Sequence, residues 1–129
     1  MTRQAISTTS APAAVGPYSQ GIAVGDLVFC SGQIGLDPAS GALVDGGVEA
    51  QAERALQNLD AVLDAAGCTF ADLVKTTVFL ADIDDFAAIN AVYARFMPDP
   101  PPARSTFAVG ALPKGARIEI EAIAAKSGR

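Results

Sequence analysis

Arg104 stands just after the run Pro100-Pro101-Pro102-Ala103, and a short way on comes Arg117-Ile118-Glu119-Ile120-Glu121. The first is a planar, permanently charged fork suited to bidentate capture of a carboxylate. The second alternates apolar and charged residues at the period of a strand, which turns its two glutamates to one side. A guanidinium and an acceptor-only carboxylate on neighbouring rigid elements can grip a small carboxylate and orient a water beside it. Competing chemistries lack their residues. The chain has no histidine, so Ser31 has no imidazole to activate it as a nucleophile, and neither a metal-ligand spacing nor a glycine-rich phosphate loop occurs. Taken singly, an arginine is more often a surface ion-pair residue and a pair of strand glutamates a solvated face. Of the two glutamates, Glu119 is the candidate base, while Glu121 is expected to be structural, paired with Arg117 or Lys75.

Those groups must be held by elements that the hydrophobic pattern outlines. Residues 5–8 and 19–24 read as strands, the latter joined through Gly25-Asp26 to a strand at 27–31 as a hairpin. Val48, Ala52, Ala55, Leu56, Leu59, Val62, Leu63 and Ala66 form one helical stripe, ended by Gly67 as a C′ residue. Residues 73–80 are rich in β-branched side chains and read as a buried strand. Asp84 and Asp85 suit the start of a second helix whose apolar face is Phe86, Ile89, Val92, Tyr93 and Phe96, stopped by Pro98. Strands return at 104–109 and 116–125. The order is ββ, βα, βα, ββ.

Two helices cannot cover both faces of about six strands, so one face takes the helices and the other meets water or another subunit. Ile118, Ile120, Ala122 and Ala124 would receive the helices, leaving Arg117, Glu119, Glu121 and Ile123 on the mixed face. Leu27, Phe29, Val78 and Phe79 do not all fit beneath two helices, which predicts a homo-oligomer.

Composition narrows the partners. The 129 residues are 50% apolar with mean hydropathy +0.32, enough for the core of one domain spanning 1–129. Nine basic against 14 acidic residues give a net charge of −5, which works against phosphate backbones and anionic membranes. No apolar run approaches a bilayer span, and Cys30 and Cys68 have neither a CxxC spacing nor a multi-cysteine framework. The expectation is a cytoplasmic protein with reduced thiols, binding neither nucleic acid nor membrane.

Several segments occur together in one order: Ala11-Pro12-Ala13-Ala14-Val15-Gly16-Pro17-Tyr18-Ser19-Gln20, Ser31-Gly32-Gln33-Ile34, Val74-Lys75-Thr76-Thr77-Val78-Phe79, Pro102-Ala103-Arg104-Ser105, Leu112-Pro113-Lys114-Gly115 and Ile118-Glu119-Ile120-Glu121-Ala122-Ile123-Ala124. With these, the chain resembles the Rid family, also called YjgF/UK114-like, over essentially its whole length, and most closely its reactive intermediate deaminase A branch. The resemblance implies an α+β, chorismate-mutase-like fold with a mixed sheet and two helices on one face, assembled as a homotrimer with clefts between subunits. It implies cofactor-free and metal-free hydrolysis of 2-imino or enamino carboxylates, shed by pyridoxal-phosphate-dependent dehydratases, to 2-keto acids and ammonium. By the same resemblance Arg104 binds the substrate carboxylate, Glu119 positions or activates water, and Tyr18, Ser31, Gly32, Asn90 and Thr106 line the cleft. Position 106 is Thr where some deaminase members carry a reactive Cys, so thiol-dependent regulation does not transfer here. A different class remains open: a non-catalytic module that senses 2-keto or other short carboxylates in the same cleft.

Overall fold

The computed structural model describes residues 2–127. Its strands are β1 (Arg3–Ile6), β2 (Gly21–Val24), β3 (Leu27–Gln33), β4 (Leu73–Leu80), β5 (Ala103–Ala108) and β6 (Ile118–Ala125), with helices α1 (Gly47–Ala65) and α2 (Phe86–Phe96). They form a six-stranded mixed sheet in the order β1-β2-β3-β6-β4-β5. Only β4 and β5 run parallel, and α2 is the crossover between them. A parallel neighbour needs such a crossover, whereas β2 and β3 turn back through Gly25-Asp26.

Both helices lie on one face. The α1 stripe Val48, Ala52, Ala55, Leu56, Leu59, Val62 and Leu63 packs with Val28, Cys30, Val78, Leu80, Ile118, Ile120, Ala122 and Ala124 in one continuous core. The stripe ends as its periodicity implies: Ala66 caps α1 and Gly67 adopts φ 80°, a left-handed geometry that a side chain would strain. The opposite face is bare. Leu27 and Phe29 stay 41% exposed and Phe107 45% exposed, and Phe79 meets Phe107 edge to face at 5.3 Å.

Three expectations change. Val78 does not share the bare face with Phe79. It alternates with it, and with Thr76 and Leu80 it is fully buried on the helix side. The first strand lies at Arg3–Ile6 rather than 5–8, because its partner β2 begins at Gly21 and fixes the register Ile6↔Gly21. β3 extends two residues past Ser31 to Gln33, across a register shift between Cys30 and Gln33 where it pairs with β6. Such an irregularity leaves no trace in period-two patterning. Among the described residues no helix is long and apolar enough to cross a membrane.

Candidate active site

Arg104 sits on β5 in register with Thr76 of β4. Thr76 is fully buried and bonds Tyr93 of α2, which places the arginine on the helix side at the sheet edge. Its Nη1 donates to Asn90 Oδ1 at 2.8 Å, and its Cζ lies 4.8 Å from the Tyr93 ring centroid and 5.5 Å from that of Phe86. Tyr93, Met97, Pro98, Pro101 and Pro102 share this hollow with Asn90 and Arg104. The ion pairs among the described residues are Arg95–Glu53 and Arg117–Asp85. Arg104 is therefore held by an amide and two rings, all neutral, and keeps fork donors for an anion. Thr106, two residues on, presents a buried Oγ1 with no hydrogen-bond partner.

Glu119 lies on the other side of the sheet, because it alternates with Ile118 and Ile120, which are buried in the core. It lines a cleft of about 560 Å³ with Pro12, Val15, Tyr18, Ser31, Gly32 and Lys114. Burial pushes its carboxyl above the ordinary glutamate value, and the neighbouring Glu121 charge adds to the effect. Gly32 lies within the register shift of β3. A Cβ there would fall 2.7 Å from Glu119 Cδ, so the missing side chain is what lets the carboxylate lie against the strand.

The loop over this cleft is tied down from beneath. Gln20 is buried; its Oε1 accepts from Thr8 N at 2.7 Å and its Nε2 donates to Pro12 O at 2.7 Å and Thr8 O at 3.1 Å. Ser31 Oγ donates to Ser19 O at 2.6 Å, which commits its proton to the loop rather than to a ligand. Tyr18 is 54% exposed at the rim, and its hydroxyl accepts a long 3.4 Å bond from Val15 N.

The residues singled out by sequence thus fall into two groups. Arg104, Asn90 and Thr106 belong to the helix side, and Glu119, Tyr18, Ser31 and Gly32 to the opposite cleft. One copy of the chain does not bring the fork and the acid together. Glu121 takes neither expected partner: Arg117 reaches Asp85 Oδ1 at 2.8 Å, at the start of α2, and Lys75 Nζ donates to Ser105 Oγ at 3.0 Å. Sequence reasoning placed Tyr93 and Phe86 only on the apolar face of a helix, and Gln20 and Thr76 only within strands, with no role at the site. A buried amide or hydroxyl is recognised by its partners, which the linear pattern does not carry. Cys30 and Cys68 are both buried; burial, with Cys68 nearby, pushes the Cys30 thiol up to about 12, so it stays protonated at neutral pH and serves as core.

Residues 8–126 match the family model described as Endoribonuclease L-PSP. The mouse protein named 2-iminobutanoate/2-iminopropanoate deaminase is 55% identical over 122 residues, 95% of this chain and 90% of its own length. A crystal structure of a Thermotoga maritima protein described as a putative endoribonuclease superposes with TM-score 0.94 at 50% identity, covering 97% of this chain and 98% of that one. Escherichia coli TdcF, determined with bound serine, gives TM-score 0.90 at 44% identity over 96% of this chain and 99% of its own. Sequence and fold agree that this chain belongs to the L-PSP family, the Rid/YjgF proteins.

Proposed function

We propose that this protein is an imine hydrolase that converts small 2-imino carboxylates, of the 2-iminobutanoate and 2-iminopropanoate class, to 2-keto acids and ammonium. The observation that carries the reading is Arg104: a half-buried guanidinium positioned by neutral partners and, among the described residues, left without a carboxylate of its own. The bare sheet face supports assembly into a homotrimer, in which one copy's Arg104, Asn90 and Thr106 meet the next copy's Glu119, Gly32, Ser31 and Tyr18 across the seam. The relatives named as deaminases and a relative that holds serine support a small amino-acid-derived substrate.

The fork engages the substrate carboxylate in parallel hydrogen bonds worth roughly 1.5–3 kcal/mol, which fixes the neighbouring C=N carbon. The enamine tautomerises to the imine, and the protonated imine is attacked by water. As the C–O bond forms, the Glu119 carboxylate takes a proton from that water. General base assistance of this kind is worth roughly 10²–10⁴-fold. Glu119, now protonated, returns the proton to nitrogen and then takes the proton of the carbinol hydroxyl as the carbonyl forms and the carbon–nitrogen bond breaks; the departing ammonia picks up that proton from Glu119 and leaves as ammonium, which restores the carboxylate. A raised pKa suits a group that must both accept and return a proton. The chain supplies every group in this scheme, so it calls for no metal or cofactor. The pocket's Thr106 hydroxyl and Tyr18 ring supply shape and polar contact rather than a nucleophile.

The substrate's chemistry points to pyridoxal-phosphate-dependent dehydratases as its source; a single cytoplasmic domain over residues 1–129 that limits damage by reactive imines completes the proposal. Net charge −5 and the lack of histidine weigh against the ribonuclease activity in the family's description. The test mixes the protein with an active threonine dehydratase, threonine and semicarbazide. Reduced semicarbazone formation is expected; unchanged formation contradicts the reading. Binding of a 2-keto acid without turnover would instead identify a carboxylate sensor.

A further inference from the structure

The Arg104 hollow contains one interaction that substrate contact does not explain. Tyr93 is 7% exposed and Thr76 fully buried, and their hydroxyls share a hydrogen bond of 2.6 Å. Thr76 is the residue of β4 directly beside Arg104 in the parallel β4–β5 ladder. The Tyr93 ring is therefore fixed at both ends, through its backbone in α2 and through its hydroxyl on the strand next to the arginine. Its face lies 4.8 Å from the guanidinium carbon, with Phe86 on the same cation at 5.5 Å.

We infer that Tyr93, anchored by Thr76, is a positioning residue that aims the Arg104 fork at the substrate carboxylate. The physical case is one of selection between partners. A long, flexible arginine at a sheet edge must be ordered before a ligand arrives, or ordering it weakens binding. A carboxylate could order it, yet would occupy the fork that the substrate needs. Aromatic faces attract the cation through their quadrupole and leave its N–H edge unbound, while Asn90 takes a single donor. The hydroxyl bridge fixes the ring's tilt, which a phenylalanine would hold by packing alone. Tyr93 has no part in the proton transfers proposed above, and its contact with the guanidinium is what assigns it a role through Arg104.

This inference rests on the imine-hydrolase reading for its choice of ligand, and the test separates the two. Calorimetric titration with 2-oxobutanoate is run on wild type, Tyr93→Leu, Arg104→Ala and the double variant, alongside the semicarbazide assay. Tyr93→Leu is expected to weaken 2-oxobutanoate binding about tenfold and to raise KM by a similar factor with kcat little changed. In the Arg104→Ala background the same substitution should change binding less than about twofold, the signature of one residue acting through another. Equal losses in both backgrounds, or no loss in the wild-type background, would overturn the inference. Should Tyr93→Leu fail to fold, Tyr93→Phe and Thr76→Val carry the cycle. Each is expected to cost about threefold and the pair together no more than either alone, because they remove the same bond. Additive losses, or none, overturn it. A wild type that binds no 2-oxobutanoate and hydrolyses no imine overturns the functional reading and this inference with it.

Discussion

The two halves of the candidate site are built on opposite electrostatic plans. On the helix side, Arg104 is surrounded by an amide and two aromatic rings, and neither of the ion pairs among the described residues includes it. In the cleft on the bare side, Glu119 is partly buried beside a second acid, and neither of the ion pairs among the described residues includes it. The cation keeps its full pull because the amide and rings that hold it are neutral; the acid becomes easier to protonate because it is partly buried, with the Glu121 charge adding to the effect. Had the chain placed the two together, they would have neutralised each other as an ordinary salt bridge. In the proposed assembly, separation across the sheet keeps both available until a second copy and a substrate bring them together.

That contrast makes the bare face its most exposed point. Phe29→Asp puts a charge on it and should dissociate the assembly and remove nearly all hydrolysis, read by sedimentation and by the trap assay. A monomer with wild-type activity would mean that the halves work separately.

Next, the two halves should fail differently. Glu119→Gln should lower kcat roughly 10²–10⁴-fold, with binding of 2-oxobutanoate retained. Arg104→Lys should lower kcat/KM roughly 10–100-fold, largely through KM, because an ammonium cannot reproduce a planar fork. The signs for stability are also distinct. Because the folded-state pKa of Glu119 lies above its unfolded value, the folded protein binds the extra proton, and stability falls as pH rises between the two. Glu119→Gln should therefore raise Tm at neutral pH while slowing turnover.

A smaller effect belongs to Gly32→Ala. The added methyl meets the movable end of Glu119 rather than backbone, so activity should fall about tenfold through a displaced carboxylate with little change in Tm. Smallest is Glu121→Gln. It removes the lesser cause of the raised Glu119 pKa and leaves burial, the larger one. The acid limb of kcat/KM should move modestly to lower pH; a limb that does not move would place the titrating group elsewhere.

How far the sequence could be read depended on distance along the chain. β4 at Leu73–Leu80 and α2 at Phe86–Phe96 follow from β-branched content, apolar period and the Asp84-Asp85 and Pro98 stops, all of which are local. Glu119 was placed on the bare face by alternation alone, and the structure puts it there. Arg104 could not be assigned a face, because that depends on the β4–β5 register Thr76↔Arg104, set by a crossover helix 14 residues away in Asn90 and closed by a contact. The same reason hid Tyr93 and Gln20. The register shift at Ser31-Gly32 was visible only as a small-residue pair; what it accommodates, a carboxylate from another strand, was not.

The central claim is that fork and acid act together only from different copies. It is tested most directly by mixing inactive chains: Arg104→Ala and Glu119→Gln variants are unfolded together, refolded as a mixture and assayed with the dehydratase and semicarbazide. If each cleft draws Arg104 from one copy and Glu119 from another, on the order of a quarter of the clefts in a random mixture hold both intact residues, and activity returns to about that fraction of wild type. A mixture that assembles fully and stays as inactive as its parents would place both residues in one copy's site and contradict the account.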